Sequence, residues 1–258
     1  MHTYISVIFR LTDRFRKRAL LAPEVSFLLN KQRRRPLYKA GGYFIFTDLD
    51  PGEADFELGS PFFRTERLVA DIPEANKGYL MIHLMLNPTR KYPFGGPVTT
   101  VFGRITRGGE AWAEQHFYLL PEDGGEVLKI AEDSAQAGNS CLKLFATVSG
   151  RQLSIPGNYL IKAKEEEKRE FCFITEYAGQ DGMYPLARGI TFSHARGTPL
   201  VEAVECATSA EGGFFTALPD LKGEKARIDV LLRNSAGKSL KRTFEIEVKR
   251  ENKLDLEL

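Results

Sequence analysis

Lys39-Ala40-Gly41-Gly42-Tyr43-Phe44-Ile45-Phe46-Thr47-Asp48-Leu49-Asp50-Pro51-Gly52 carries a pattern that returns as Glu211-Gly212-Gly213-Phe214-Phe215-Thr216-Ala217-Leu218-Pro219. In both copies a glycine pair opens a tight turn and an aromatic-rich strand follows. A Leu-x-Pro or Leu-Pro step then ends it, because proline cannot continue a β-ladder. Outward from the first copy, Ile5, Val7, Phe9 and Leu11 alternate with Ser6, Ile8 and Arg10, and Ala54-Asp55-Phe56-Glu57-Leu58 reads as the returning arm of a hairpin. Strands bounded by turns at this spacing predict an all-β chain of small antiparallel sandwiches.

The bounds agree. At 258 residues the chain is long for one core and comfortable for two or three, and 43% hydrophobic with 27% charged residues is the composition of a folded protein. A net charge of +2 gives no global pull toward nucleic acid or anionic lipid. Cys141, Cys172 and Cys206 have no C-x-x-C spacing, so buried free thiols are expected rather than a disulfide framework or a zinc site. The N-terminal run Tyr4–Leu11 reads as a strand and no apolar stretch approaches the ~20 residues needed to cross a bilayer. A cytoplasmic protein, or part of a particle released from the cytoplasm, is the expectation, with no membrane partner.

Taken in order, the chain predicts three units: residues 1–75, 95–175 and 180–250, followed by a tail at 251–258. The Pro/Gly-rich Tyr92-Pro93-Phe94-Gly95-Gly96-Pro97 marks the first boundary and Gly179-Gln180-Asp181-Gly182 the second. In the second unit Cys141–Ala146 fills the slot of the glycine-pair strand, and Pro156-Gly157-Asn158-Tyr159 preserves the step after it. The third opens with Leu186–Phe192 as its first strand, continues through Gly197-Thr198-Pro199-Leu200, and turns at Asn234-Ser235-Ala236-Gly237. The mixed charge run Lys162–Glu170 suits either a helix or a solvated hairpin end.

Gly42-Tyr43-Phe44-Ile45-Phe46, Leu49 and Pro51-Gly52 resemble the recurring run of the carboxypeptidase regulatory-like domains, which are transthyretin-like β-sandwiches. Departures are present: the aromatic after the second glycine is displaced to Phe56, and Arg18-Ala19-Leu20 stands where Gly-x-Pro is usual. The resemblance implies an Ig-like or transthyretin-like sandwich fold and a mostly non-catalytic family. Leu86-Asn87-Pro88 followed by Tyr92-Pro93-Phe94 also faintly resembles linkers in β-domain proteins of phage-tail-like contractile assemblies, which implies a structural role in such a particle.

Candidate sites were weighed against ordinary structure. Residues 1–40 hold ten basic side chains, including Arg14, Arg16, Lys17, Arg18, Lys31, Arg33, Arg34 and Arg35, against Asp13 and Glu24; residues 41–75 answer with eight acids. Hairpin logic puts the loops at 13–18 and 31–36 at opposite ends of a sandwich, with the turn at Asp48–Glu53 facing Arg14, Arg16 and Arg18. Solvated ion-paired loops are therefore favoured over nucleic-acid binding. Asp48, Asp50, Glu53 and Asp55 lack the spacing of a calcium loop, and His2, His83, His116 and His194 lack metal-pair spacing, although Ser193-His194 invites a hydrolase reading. Neither cofactor nor metal is expected.

Adjacent aromatics cannot both point inward from a regular strand, so the outward members of Phe62-Phe63 and Phe214-Phe215 are candidate partner contacts. In the tail, Leu254, Leu256 and Leu258 alternate. Two readings stay open: a frayed end, or a strand added to a sheet of this chain or of a second copy. The expected function is a non-catalytic structural or interaction protein that positions protein partners or copies of itself. A carbohydrate-binding or adhesive module is the alternative, and a hydrolase using His194 or His83 ranks third.

Overall fold

The computed structural model describes residues 3–121, 128–147, 153, 155–179, 181–218, 221–233 and 239–258. His2, Gln180, Pro219 and the turn at 234–237 lie outside the described residues. The described residues form an all-β fold of mostly antiparallel strands, and their helical content is limited to short 3₁₀ turns such as Ala22–Glu24 and Ala75–Lys77. Among them no helix is long and apolar enough to cross a membrane.

The chain divides into two compact units, residues 1–95 and 96–258, and not into three in sequence. The first contains β1 (Ile5–Asp13), β2 (Arg18–Ala19), β3 (Ser26–Leu29), β4 (Gln32–Arg34), β5 (Leu37–Lys39), β6 (Tyr43–Thr47), β7 (Gly52–Gly59), β8 (Glu66–Ile72) and β9 (Leu80–Leu86). One sheet runs β2-β1-β6-β5 with β9 added in parallel along β1 from Val7 to Asp13; the other runs β4-β3-β7-β8. Phe9, Phe27, Phe44, Phe46 and Phe56 fill the space between them, each contributing about 1.5–3 kcal/mol on burial. Their ring centroids lie 5.0–5.9 Å apart in tilted and edge-on pairs.

The unit extends to Gly95 because β1 needs a partner for its second edge and β9 supplies it. Asp13, fully buried, then fastens the segment after β9. Its carboxylate accepts the Phe15 and Arg16 N–H groups at 2.9 and 3.0 Å and the Tyr92 hydroxyl at 2.5 Å. Phe15, Phe63, Tyr92 and Phe94 close over it as a cluster of rings.

The second unit holds β10 (Thr99–Arg107), β11 (Glu110–Ala111), β12 (His116–Pro121), β13 (Leu128–Ile130), β14 (Ser134–Ala135), β15 (Cys141–Ala146), β16 (Gly157–Ile161), β17 (Glu170–Ile174), β18 (Met183–Pro185), β19 (His194–Ala195), β20 (Pro199–Glu202), β21 (Val204–Ala207), β22 (Gly213–Leu218), β23 (Lys225–Arg233), β24 (Ser239–Glu247), β25 (Glu251–Lys253) and β26 (Leu256–Glu257). Here the expected boundary near 175–180 fails: β10 pairs with β22, and β12 with β21 and β23, so strands from the predicted second and third units share sheets. What lies between β12 and β21 is a body with its own core.

That inserted body is a six-stranded sheet in the order β17-β16-β20-β13-β15-β18. Its two ends meet, since Ile174 bridges Leu186, Thr175 N–H donates to Pro185 O at 3.0 Å and Ala187 N–H to Phe173 O at 3.0 Å. Closure into a barrel satisfies both edges. Leu128, Ile130, Leu142, Tyr159, Ile161, Ile174 and Leu200 fill it. The expected first strand of a third unit, 186–192, is therefore the seam of a barrel, and the charge run 162–170 is the solvated end of the β16–β17 hairpin, with a 3₁₀ turn at Glu166–Lys168.

Without the insertion, the second unit repeats the strand arrangement of the first, except that β5 has no counterpart beside β22 among the described residues. β10 pairs with β11, with β22 antiparallel and with β25 and β26 in parallel, as β1 does with β2, β6 and β9. β12 pairs with β21 and β23, and β23 with β24, as β3 does with β4 and β7, and β7 with β8. The glycine turn fixes the match. A Cβ on Gly42 would stand 2.5 Å from Leu11 O, 3.2 Å from Ala19 Cβ and 3.3 Å from Leu20 N. On Gly212 it would stand 2.6 Å from Ile105 O, 3.3 Å from Ala111 Cβ and 3.3 Å from Trp112 N. Gly42 thus corresponds to Gly212, one residue away from the alignment that pairs Gly41 with Gly212.

Candidate binding cleft

The basic segment at 31–36 forms a strand and a crossing and not a loop. Asn30 and Lys31 take positive φ of 49° and 64° between the paired Leu29 and Gln32, the two-residue hairpin geometry that asparagine tolerates well. Asn30 also binds Asp55, its N–H donating to Asp55 O at 2.8 Å and its Oδ1 accepting Asp55 N–H at 2.9 Å. From this anchor β4 carries Arg33 and Arg34 along one edge of its sheet. Arg35-Pro36 then crosses to β5, the edge of the other sheet, where proline supplies no N–H to continue a ladder.

Between these edges lies a cleft of about 1060 Å³. Arg33, Arg34 and Arg35 line one side with Leu37 and Tyr38, Phe27 and Phe44 stand behind them, and Ala22–Ser26 with Gly59–Pro61 form the far wall. Tyr38 packs on Phe44 with ring centroids 5.3 Å apart, and Leu37 is 61% exposed. The three arginines are exposed. Among the described residues no side-chain hydrogen bond or ion pair engages any of them.

The one carboxylate in the lining, Glu24, is already committed. Arg18 grips it with both terminal nitrogens, Nη1 to Oε2 at 2.9 Å, and Leu21 N–H donates to it at 2.7 Å. The Arg18 hydrogen bond, aided by Leu21 N–H, outweighs burial and holds the Glu24 carboxyl below its usual range. Arg18, from the loop at 13–18, thus reaches the cleft's lining only through Glu24. The turn at Asp48–Glu53 does not serve the arginines as expected, because β6 carries it to the start of β1, where Asp48 Oδ1 accepts Tyr4 N–H at 3.0 Å. Guanidinium groups left free beside apolar side chains suit carboxylates or phosphates, which they bind in paired hydrogen bonds.

The other candidate residues are dispersed. Phe63 is 1% exposed and belongs to the core of the first unit, whereas Phe62 is 36% exposed. Phe214 packs on Phe117 inside the second unit and Phe215 is half-buried. Leu254 and Leu256 are buried in the second unit's core and Leu258 packs against it, so the tail adds its strand within the chain and is not frayed. As outward partner contacts Phe63, Phe214, Leu254 and Leu256 are corrected by this burial.

His194 is buried, its Nε2 2.9 Å from Glu170 Oε1, while Glu170 also accepts the Thr191 and Phe192 N–H groups at 2.7 and 2.9 Å. Burial pushes the Glu170 carboxyl up, but these donors outweigh it and hold the carboxyl below its ordinary value. Ser193 Oγ instead accepts Ala137 N–H at 3.1 Å, so the serine and histidine fix two different turns. His116 lies 3.1 Å from Glu205 on the surface. Among the described residues no group of three His, Cys, Asp or Glu side chains could hold a metal ion. Cys172 and Cys206 are buried and Cys141 half-buried, all as free thiols, and burial pushes the Cys172 thiol up to about 12.

Sequence reasoning noticed the arginines but missed their setting. The signal was three arginines followed by Pro36-Leu37-Tyr38, an edge-breaking proline next to exposed apolar residues.

No family model and no curated protein matches the chain. Among solved structures it is similar to the Bacillus anthracis TIE protein, with 10% identity and a TM-score of 0.24 over 99% of this chain and 33% of that one. It is also similar to BcpA, the major pilin subunit of Bacillus cereus, with 6% identity and a TM-score of 0.25 over 96% of this chain and 69% of that one. A leucine-rich repeat protein from Bacteroides thetaiotaomicron gives 8% identity and a TM-score of 0.19 over 100% of this chain and 26% of that one. The chain spans about a third of the length of the TIE protein.

Proposed function

We propose that the chain is a non-catalytic interaction protein that holds a segment of another protein in the cleft of its first unit, as a component of a larger assembly. The observation that carries this reading is the pair of strand edges, β4 and β5, that flank one cleft with no further strand on either among the described residues. Each edge offers backbone N–H and C=O groups in a row, and an extended segment satisfies such a row by adding a strand. Leu37 and Tyr38 beside it supply apolar contact. With the tail paired inside the second unit, the β4–β5 region replaces it as the favoured contact surface.

A carbohydrate ligand is the second reading, favoured by the partly exposed Tyr38 ring at the cleft. Panning the full chain against a displayed library of random extended peptides decides between them, with a glycan array run beside it. Enriched peptides that lose binding to the Leu37→Asp and Tyr38→Ala variants support the proposal. No enrichment, or peptides indifferent to both variants, overturns it, and glycan binding lost in Tyr38→Ala would put the second reading in its place.

A further inference from the structure

Resting on that reading, we infer that the cleft selects an acidic segment, bound as an extended strand with its carboxylates against Arg33, Arg34 and Arg35. Three consecutive guanidinium groups line the cleft with no carboxylate paired to them among the described residues, and the one carboxylate in the same lining, Glu24, is held by Arg18. Edge strands are commonly guarded by a single charge or a proline. Here Pro36 already provides that protection, so three further cations exceed what guarding a three-residue edge requires. Neighbouring residues of a strand project to opposite faces. Carboxylates on both faces of an added strand therefore find a partner, Arg33 on one face and Arg34 on the other, with Arg35 at the crossing. Apolar residues between them would lie toward Leu37 and Tyr38.

A peptide fits better than a nucleic acid. At the turn end of β4 stands Asp55, bonded through its backbone to Asn30, with Glu53 on the same strand, and these carboxylates repel a polyanion that continues past the three arginines. A short acidic strand ends before it meets them, and it alone can use the ladder groups of β4 or β5.

The test uses the full chain and three fluorescent peptides of equal length, Glu-Val, Gln-Val and Lys-Val, in which two polar residues alternate with two valines so that each face of the extended strand carries both, plus a single-stranded oligonucleotide, read by anisotropy. The Glu-Val peptide should bind about tenfold or more tighter than Gln-Val, as expected for loss of charge-assisted hydrogen bonds, and weaken as salt is raised. The Lys-Val peptide should not bind. Changing Arg33→Gln, Arg34→Gln and Arg35→Gln together should abolish the Glu-Val preference while the unfolding transition, measured in parallel, stays in place. Should that variant unfold, the Arg→Lys triple variant serves instead, and it should bind Glu-Val more weakly than the natural chain. Equal binding of Glu-Val and Gln-Val overturns this inference and leaves the proposed function standing. No peptide bound here or in panning overturns both, and oligonucleotide binding that depends on the arginines without peptide binding would assign the cleft to nucleic acid.

Discussion

Phe27 packs on Phe44 in the first unit with ring centroids 5.4 Å apart, and Phe117 packs on Phe214 in the second at 5.0 Å. Around these matching contacts the two sandwiches are filled differently. Phe9, fully buried, meets three other rings, while the corresponding position two residues before the glycine-turn contact is Gly103. There a Cβ would lie 1.8 Å from Leu254 O, because the last strand passes so close that only glycine fits. Outside the sheets the contrast is larger. The first unit turns Leu28, the Glu57–Arg67 pair and a 66% exposed Val69 outward. The second turns out Tyr118, Leu120 and Leu231 and covers them with Leu160, Phe171 and Val201 of the inserted barrel. One strand arrangement therefore keeps its turn glycine and most of its pairings but not its core volumes or its β5 edge, and it leaves bare in one unit a sheet face that the other covers with a second body.

The largest expected effect tests the last strand. Ending the chain at Lys253 removes Leu254 and Leu256 from the core, at about 1.5–3 kcal/mol for each buried side chain. Chemical denaturation should show the second unit destabilised by several kcal/mol with the first unit unmoved. The solution mass should not change; a drop in mass would show instead that the tail joins copies. Next comes Phe9→Ala, which should destabilise the first unit by about 3–5 kcal/mol through the cavity it leaves, leaving the second unit's transition in place. Loss of both transitions together would show that the units do not unfold separately.

Gly42→Ala and Gly212→Ala sharpen the likeness. Both glycines have positive φ, at 77° and 76°, and both face a carbonyl, so each substitution should cost about 2–3 kcal/mol by strain and crowding. Unequal costs in the two units would break the correspondence drawn between them. A smaller effect is expected where the inserted barrel meets the sandwich. Tyr118 stacks on Phe171 at 3.8 Å and 18°, and Tyr118→Ala should cost about 1–3 kcal/mol and raise hydrogen exchange in Leu160 and Val201. Leu28→Ala at the corresponding place in the first unit should cost less, since no second body covers it.

The smallest effect is in pH. Because Glu170 titrates below its ordinary value in the fold, its contribution is fully present above the unfolded carboxyl value of about 4.5 and is lost as pH falls through the lower folded value. Urea midpoints of the barrel should fall over that acid window and not near neutrality. The Glu170→Gln variant should be less stable at neutral pH and should lose that pH dependence.

Much of the frame was legible. Period-two alternation located Ile5–Leu11 and Ala54–Leu58 within β1 and β7, and the returning glycine pair marked a repeated pattern, read as part of three units where the structure has the arrangement twice. The domain count was not legible, because residues 122–203 interrupt the second sandwich with strands of the same composition as their host. Alternation says which face of a strand is apolar and nothing about which strand lies beside it, so β10 and β22 could not be joined across more than a hundred residues. For the same reason Leu254 and Leu256 read equally well as a tail for another copy until their burial beside β10 decided it.

At the cleft the division is the same. The sequence by itself determined that the chain is all-β, that the glycine pairs Gly41-Gly42 and Gly212-Gly213 open turns before aromatic strands, and that Arg33, Arg34 and Arg35 form a basic run. Only the tertiary structure decided that Arg18 consumes Glu24, that Asp48 lies beside Tyr4 and not beside Arg14, Arg16 and Arg18, and that two sheet edges flank the same cleft. The physical reason is range: strand periodicity and turn chemistry are set by neighbours in the chain, whereas ion pairing and edge exposure are set by contacts between segments that only folding brings together.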